Sequence, residues 1–223
     1  MKINSKLSLA EENYLKAIYH LSDHGQEGVS TNAVSDLLRT KPASVTDMLK
    51  KLSQKEVINY IKYQGVTLTE KGKKLALQVI RKHRLWEVFL VDKLNFNWDE
   101  VHDLAEQLEH IQSKLLIDRL DEFLGHPSYD PHGDPIPDES GHIKAKKQIA
   151  ISEAAPGVAG SVVGLKETSP LFLRYLDKTG IYIGARIKVI ERMEFDLSIE
   201  IQIDNKKTFV VSNEVAKNIF ITD

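Results

Sequence analysis

The spacing of apolar residues changes once along the chain, from a helical period to a strand period. Over residues 9–123 apolar side chains recur three and four positions apart, which is the spacing of one helix face. From Ala159 onward they alternate with polar residues, most clearly over residues 197–204. A Gly- and Pro-rich stretch over residues 125–142 separates the two patterns. The sequence therefore predicts a mainly α protein that ends in a small β-barrel domain.

The first third of the chain predicts a winged helix-turn-helix. Ser8 and Ser30 can cap two helices, residues 41–55 predict a third helix, and a short hairpin turns at Gly65. In such a fold the third helix enters the major groove and the hairpin lies along the DNA backbone. Small and hydroxyl side chains permit close approach to the bases, and lysines can reach phosphates. The residues that we expect to contact DNA are Lys41, Pro42, Ala43, Ser44, Thr46, Asp47, Lys50 and Lys51 in the helix, and Lys62 and Tyr63 in the wing.

The formal net charge of −2 is unevenly distributed along the chain. Residues 1–82 carry 14 Lys and Arg against 8 Asp and Glu, whereas residues 83–140 carry 4 against 14. A basic first third suits double-stranded DNA, and an acidic middle suits a cation. The absence of cysteine excludes disulfides and thiolate metal sites. Because no apolar run is long enough to span a bilayer, we expect a cytoplasmic protein with no membrane partner.

Histidine and glutamate residues recur at helical spacing in the acidic middle. His83 and Glu87 stand four residues apart. A second set follows at offsets of zero, four, seven and eight: His102, Glu106, Glu109 and His110. A helix that starts at residue 97 or 99 and runs to about residue 112 would place this set on one face. Imidazole and carboxylate groups are the usual ligands of first-row divalent metals, so the spacing predicts a metal centre.

The chemistry of the predicted ligands narrows the choice of metal but leaves functions other than metal-dependent DNA binding open. Glu106 makes the set rich in oxygen, which suits Mn²⁺ and also Fe²⁺, while Zn²⁺, Co²⁺, Ni²⁺ or Cd²⁺ can substitute in vitro. A metal-dependent hydrolase and a winged-helix sensor of an organic ligand are the alternatives. The sequence contains neither a His-Glu-x-x-His pattern nor a Gly-rich phosphate loop. We therefore expect no enzymatic activity and no small-molecule substrate.

Four segments together resemble the diphtheria toxin repressor family. They are EENYLKAIY (11–19), RKHRLWE (81–87), VHDLAEQLEH (101–110) and DPHGDPIP (130–137). The resemblance covers nearly the whole chain and looks closest to the manganese transport regulators that keep a C-terminal domain. It implies a homodimeric, metal-activated repressor that binds operator DNA and controls metal uptake genes.

The resemblance also implies a domain order and a set of metal ligands. The domains would be a winged helix over residues 1–72, a helical dimerisation and metal domain over 73–142, a linker over 143–151 and an SH3-like, FeoA-type barrel over 152–223. The primary metal site would comprise Asn13, Glu106, Glu109 and His110. The ancillary site would comprise His83, Glu87 and His102, with Glu167 as a candidate from the barrel and with Asp130 and His132 where certain relatives place further ligands.

Three positions depart from the pattern of the family. Asn13 stands where relatives have Asp or Met, so a neutral oxygen would replace an anionic one. Lys16 stands where some manganese sensors have a Glu ligand, so we do not expect a matching two-metal site. Glu106 replaces the Cys of iron-responsive members and points to manganese, whereas His102 is an iron-type feature.

Overall fold

The structure is a computed structural model, and it describes residues 7–22, 25, 27–61, 65–144 and 147–222. The chain divides into two compact units. The N-terminal unit comprises Met1–His83, Gln107–Ser113 and Pro137–His142, and the C-terminal unit comprises Arg84–Glu106, Lys114–Ile136 and Ile143–Asp223. These units are defined by contacts in space, and the domain limits expected from the sequence remain predictions.

Three helices and a hairpin open the chain in the predicted order. Helix α1 spans Leu9–Leu21, α2 Thr31–Leu37 and α3 Pro42–Gln54, and strand β1 (Ile58–Ile61) pairs antiparallel with β2 (Gly65–Leu68). Ser8 caps α1 in a capping box, Ser30 caps α2, and Pro42 opens α3 where no backbone N–H is required. The core contains Leu15, Ile18, Val34, Val45, Leu49 and Leu52. The prediction of a winged helix-turn-helix is confirmed.

Three further helices follow the wing: α4 (Glu70–Leu94), α5 (His102–Leu108) and α6 (Lys114–Phe123). The Thr69 hydroxyl accepts the Gly72 N–H at 3.1 Å and so caps α4 as expected. The prediction of one helix from residue 97 or 99 to residue 112 is wrong at both ends, because Glu109 and His110 lie in the turn after α5. In that turn both side chains form ion pairs, Glu109 with His83 and His110 with Glu12. No helix in the described part of the chain is both long and apolar enough to cross a membrane.

The C-terminal residues form one antiparallel sheet of six strands in the order β3-β8-β4-β5-β6-β7. Its elements are β3 (Ile149–Ala150), β4 (Ala159–Leu165), α7 (Pro170–Thr179), β5 (Arg186–Arg192), β6 (Ile199–Ile203), β7 (Lys207–Val211), α8 (Asn213–Lys217) and β8 (Ile219–Thr222). Alternate residues of the strands are buried against the inner face of α7, including Ile187, Ile201, Leu173 and Leu176.

The residues expected to form a small β-barrel form an open six-stranded sheet in this structure. Among residues 147–222, no strand pairing joins the edge strands β3 and β7. Strand β3 has only two residues, and closure of a barrel requires continuous pairing along both edges. The prediction of a small antiparallel β domain is confirmed, and its sheet is not closed into a barrel among the described residues.

Candidate metal centre

A buried cluster of ligand-type side chains lies in the C-terminal unit. Glu87 of α4 and, from the loop after α6, Asp130 and His132 each offer a ligand atom within 4.8 Å of the other two. Their exposed fractions are 2%, 6% and 4%, so water contributes little to their solvation. The Nδ1 atom of His132 lies 3.7 Å from a Glu87 carboxylate oxygen, and its Nε2 atom lies 2.9 Å from the Trp98 carbonyl oxygen. We call these three residues the Glu87 cluster.

The loop that carries Asp130 and His132 is held by its own hydrogen bonds. The Asp130 carboxylate accepts the backbone N–H groups of His132 and Asp134, each at 2.9 Å. Gly133 between them has a φ of +87°, and a Cβ atom there would lie 2.2 Å from the Val163 carbonyl oxygen of β4. Only glycine fits this position, so the sequence Asp-Pro-His-Gly-Asp fixes the geometry of two candidate ligands.

The electrostatics of the Glu87 cluster favour a bound cation. Burial raises the pKa of Asp130, and the charges of Asp134 and Glu87 add to this effect, so that the pKa reaches about 7. Burial by itself lowers the pKa of His132, but the hydrogen bond and charge of Glu87 outweigh it and raise the pKa to about 9. The cluster thus takes up protons where exposed groups of the same kind would not, and a divalent ion can replace those protons.

The donor set fits a divalent cation. Two carboxylates and one imidazole converge in the Glu87 cluster, and the exposed His102 of α5 has its Nδ1 atom 3.6 Å from a Glu87 carboxylate oxygen. Mixed oxygen and imidazole ligands suit Mn²⁺ and Fe²⁺, and they also accept zinc and its neighbours. A bound ion would supply positive charge that joins α4 to the loop after α6.

His83 and Glu167 are the other two candidates for the ancillary site. His83 is buried on α4, one turn before Glu87. Glu167 is exposed, and its carboxylate accepts the Ser169 N–H at 2.7 Å at the start of α7. It lies outside the Glu87 cluster, and its role as a ligand stays a prediction. Its short hydrogen bond to the local backbone explains why its side chain faces α7.

A second group of buried charges lies in the N-terminal unit. The fully buried Glu109 carboxylate has one oxygen 2.6 Å from His83 Nδ1, and it accepts Lys16 Nζ at 2.8 and 2.9 Å. His110 has its Nδ1 atom 2.6 Å from a Glu12 oxygen and its Nε2 atom 3.8 Å from a Glu109 oxygen. Burial raises the pKa of Glu109, but the hydrogen bond from His83 and the charge of Lys16 hold it below its usual range. We call these five residues the Glu109 network.

Two residues of the expected primary site are placed differently from the prediction. Asn13 lies on the exposed side of α1, and its neighbour Glu12 is the buried residue that contacts His110. The periodicity of α1 contains a signal for the burial of Glu12, because Glu12 precedes Leu15 by three positions and Tyr19 by seven. The Glu106 side chain is 51% exposed and lies 3.7 Å from His102 Nε2.

Helix α3 presents most of the predicted DNA contacts on an exposed edge. Thr46 is partly buried and donates its hydroxyl to the Pro42 carbonyl at 3.0 Å, and Asp47 pairs with Lys50 at 3.1 Å. Lys62 and Tyr63 of the wing lie outside the described residues. The exposed members of the set are Lys41, Pro42, Ala43, Ser44, Asp47, Lys50 and Lys51.

Sequence reasoning missed the residue that joins α3 to α1. Glu11 is buried, and its carboxylate pairs with Lys55 at 2.7 Å and with Lys51 at 3.2 Å. Burial raises the pKa of Glu11, but the hydrogen bonds from Lys55, from the Ser8 backbone and from Lys51 lower it to about 2. Glu11 therefore anchors the C-terminal end of α3.

A winged helix with an exposed basic third helix, together with a buried carboxylate and imidazole site, defines a metal-binding, DNA-binding protein. Comparison with family models agrees with this class. Residues 6–66 match the iron dependent repressor N-terminal DNA binding domain, residues 69–138 its metal binding and dimerisation domain, and residues 149–223 the FeoA domain.

Similar proteins include regulators of both iron and manganese. The iron-dependent repressor IdeR of Mycobacterium leprae is 33% identical over 190 residues, which are 80% of this chain and 82% of that protein. An uncharacterised HTH-type transcriptional regulator of Methanocaldococcus jannaschii is 36% identical over 53% of this chain and 94% of its own length. The solved structure of a manganese-dependent transcriptional repressor in complex with manganese superimposes with a TM-score of 0.85, at 34% identity over 96% of this chain and 99% of that one.

The chain therefore belongs to the diphtheria toxin repressor family of iron-dependent repressors. It is a metal-dependent transcriptional repressor, and the hydrolase alternative is wrong.

Proposed function

We propose that this chain is a manganese-responsive repressor that binds operator DNA as a metal-loaded homodimer and controls metal uptake genes. The observation that carries the proposal is the convergence of Glu87, Asp130 and His132 in a buried, cation-seeking cluster. The same chain begins with a winged helix whose third helix is exposed and basic. A protein that holds an ion at one place and DNA at another is suited to report the concentration of that ion.

The ligand chemistry favours manganese over softer metals. Carboxylates dominate both groups of buried donors, with Glu87 and Asp130 in one and Glu12 and Glu109 in the other. Hard oxygen donors with few imidazoles suit Mn²⁺. Fe²⁺ is the second candidate, supported by the imidazole of His102 beside Glu87 and by the similarity to an iron-dependent repressor. Zn²⁺, Co²⁺, Ni²⁺ and Cd²⁺ are expected to substitute in vitro, because affinity alone does not select among these ions.

We assign the ancillary centre to the Glu87 cluster with His102, and the primary centre to Glu12, Glu109 and His110. In the ancillary centre, Glu87, Asp130 and His132 each offer a ligand atom within 4.8 Å of the other two. In the primary centre His110 contacts the carboxylates of Glu12 and Glu109, and Lys16 forms an ion pair with Glu109. Glu12 takes the place expected for Asn13, because Glu12 is the α1 side chain that reaches His110.

Two adjacent residues of α1 connect the primary centre to the helix that faces DNA. Glu12 pairs with His110, and Glu11 pairs with Lys51 and Lys55 on α3. Both carboxylates project from the same helical turn of α1. A metal ion that holds Glu12 in place therefore also restrains Glu11 and, through the ion pairs of Glu11, restrains α3. Stabilisation of the Glu12 contact therefore fixes the orientation of α3 and lowers the ordering cost of binding DNA.

The proposed homodimer has a candidate surface on α6. Leu115, Leu116 and Phe123 are large apolar residues of this helix, and all three are exposed in the single chain. Apolar side chains that cluster on one short helix are typical of association surfaces. A two-fold dimer would bury them against the same residues of a second copy and would present two α3 helices to successive major grooves.

A pair of matched variants tests this proposal. Replacing Asp130 and His132 together with Ala removes two donors of the Glu87 cluster, whereas Glu167→Ala removes an exposed carboxylate of the same unit. We expect the double variant to bind one fewer Mn²⁺ ion per chain and to lose at least about tenfold of the metal-stimulated DNA affinity. Glu167→Ala should match the unchanged chain in both measurements. If the double variant keeps its Mn²⁺ stoichiometry and its metal-stimulated DNA binding, the proposal is wrong.

A further inference from the structure

The Glu109 network contains protein cations where a metal-binding centre would be expected to hold only anions and neutral donors. Lys16 Nζ contacts both oxygens of the Glu109 carboxylate, at 2.8 and 2.9 Å. The Lys16 side chain is only 14% exposed, so its ammonium group is largely removed from water. A buried ammonium is retained when its attraction to a carboxylate offsets the cost of desolvation.

The ammonium group of Lys82 offsets the negative charge of the Glu12 carboxylate. Its Nζ atom lies 3.9 Å from a Glu12 oxygen, and its side chain is 12% exposed. Two carboxylates, Glu12 and Glu109, thus face two ammonium groups, Lys16 and Lys82, in one buried region. The formal charges of these four groups sum to zero before a metal ion binds. His83 and His110 are left out of this sum.

A divalent ion that approached Glu109 would meet the Lys16 ammonium at the same oxygen atoms. Two positive charges a few ångströms apart in a partly buried site repel each other by several kcal/mol, even at an effective dielectric constant near 20. Each carboxylate oxygen can accept more than one partner, so His83 can remain in place. Lys16, with its long and flexible stem, is the group that can withdraw.

We propose that Lys16 is a built-in competitor for Glu109, which weakens divalent-ion binding at the primary centre and sets the ion concentration at which that centre fills. This inference rests on the proposed function, because it takes Glu12, Glu109 and His110 as that centre. Lys16 acts as a positioning residue for Glu109 and determines the affinity of the centre. A purely structural ion pair would contribute stability but would not oppose the ion.

The first test compares Mn²⁺ affinity in charge-matched variants. Lys16→Gln removes the competing charge, Lys16→Arg keeps it, and Lys114→Gln removes an equal charge that pairs with Asp118 on the exposed surface of α6. All are made in the chain in which Asp130 and His132 are both replaced with Ala, so that the titrated ion reports the primary centre. We expect Lys16→Gln to bind Mn²⁺ at least about tenfold more tightly, with Lys16→Arg and Lys114→Gln unchanged. The parent is the chain that keeps Lys16. If the parent binds Mn²⁺ and Lys16→Gln binds it no more tightly, the inference about Lys16 is wrong, but the proposed function is not contradicted. If neither binds Mn²⁺, the primary centre of the proposed function is also wrong.

The second test uses the unaltered chain. Amine-reactive labelling followed by mass spectrometry measures how accessible each lysine is. We expect Lys16 to be labelled slowly in chelator-treated protein and several-fold faster when Mn²⁺ is added, because the ion displaces its ammonium from Glu109. Lys207, which donates a hydrogen bond to the Thr179 carbonyl oxygen at 3.2 Å in the C-terminal unit, serves as the internal reference. A Lys16 labelling rate that stays constant or falls on addition of Mn²⁺ contradicts the inference.

Discussion

At the scale of single residues, His132 connects pH to stability. Its folded pKa of about 9 lies above the ordinary value of 6.5, because Glu87 and Asp130 stabilise the charged imidazole. The charged form therefore stabilises the fold fully below pH 6.5, and this contribution is lost as the pH rises through about 9. Asp130, with a pKa of about 7, also releases its proton as the pH rises, which acts in the same direction.

We therefore predict that the metal-free chain loses stability between pH 7 and 9. The free energy of unfolding, measured with denaturant in the presence of a chelator, should fall by about 1–3 kcal/mol over this range. His132→Gln has no ionisable group at this position and should show a smaller fall. A metal-free chain whose stability is constant or increases from pH 7 to 9 would show that His132 is not held in its charged form.

The residues of the site were predictable where spacing determined their neighbours. Glu87 and His102 came from helical offsets, and Asp130 and His132 came from the resemblance of their loop to relatives. The resemblance indicates Asn13 as a ligand, whereas the buried face of α1 carries Glu12. The ion pairs of Lys16 and Glu11 could not be read from the sequence, because each joins residues 40 or more positions apart.

At the scale of elements, the loop after α6 depends on Gly133. This residue combines a φ of +87° with an approach to the Val163 carbonyl of β4 that leaves no space for a Cβ atom. A side chain there must displace either the loop or β4, and so must move Asp130 and His132 away from Glu87.

We predict that Gly133→Ala destabilises the chain by more than about 2 kcal/mol and weakens Mn²⁺ binding at the Glu87 cluster. The matched control is Gly157→Ala, at a φ of +90° with no atom within 4 Å of the added Cβ. The control should cost only about 1 kcal/mol of backbone strain and leave metal binding unchanged. Thermal unfolding and Mn²⁺ titration measure both effects, and equal losses in the two variants would mean that the contact with Val163 is unimportant.

Element types were more predictable than element ends. The apolar period and the caps at Ser8 and Ser30 gave the helices of the winged fold, and strict alternation gave β6. Helix α5 was overestimated at both ends, because the spacing of Glu109 and His110 is also compatible with a turn. Alternation predicted the strands of the small β-barrel domain, whereas sheet closure depends on pairing between edge strands that are distant in sequence.

At the scale of the whole molecule, the uneven distribution of charge along the chain corresponds to the two proposed binding functions. The basic first third carries the exposed edge of α3, and the acidic middle contains most of the buried metal-ligand candidates. Cation binding would neutralise part of the acidic middle, which reduces its repulsion of DNA phosphates. The same sequence therefore supports both an ion site and its effect on DNA binding.

The most direct test of the account is the affinity of the full chain for DNA with and without metal. A duplex can be selected from random sequences in the presence of Mn²⁺, and its dissociation constant measured at fixed salt for chelator-stripped and Mn²⁺-loaded protein. The account predicts at least about tenfold tighter binding by the loaded form. Equal affinity of the two forms for the selected duplex would contradict it.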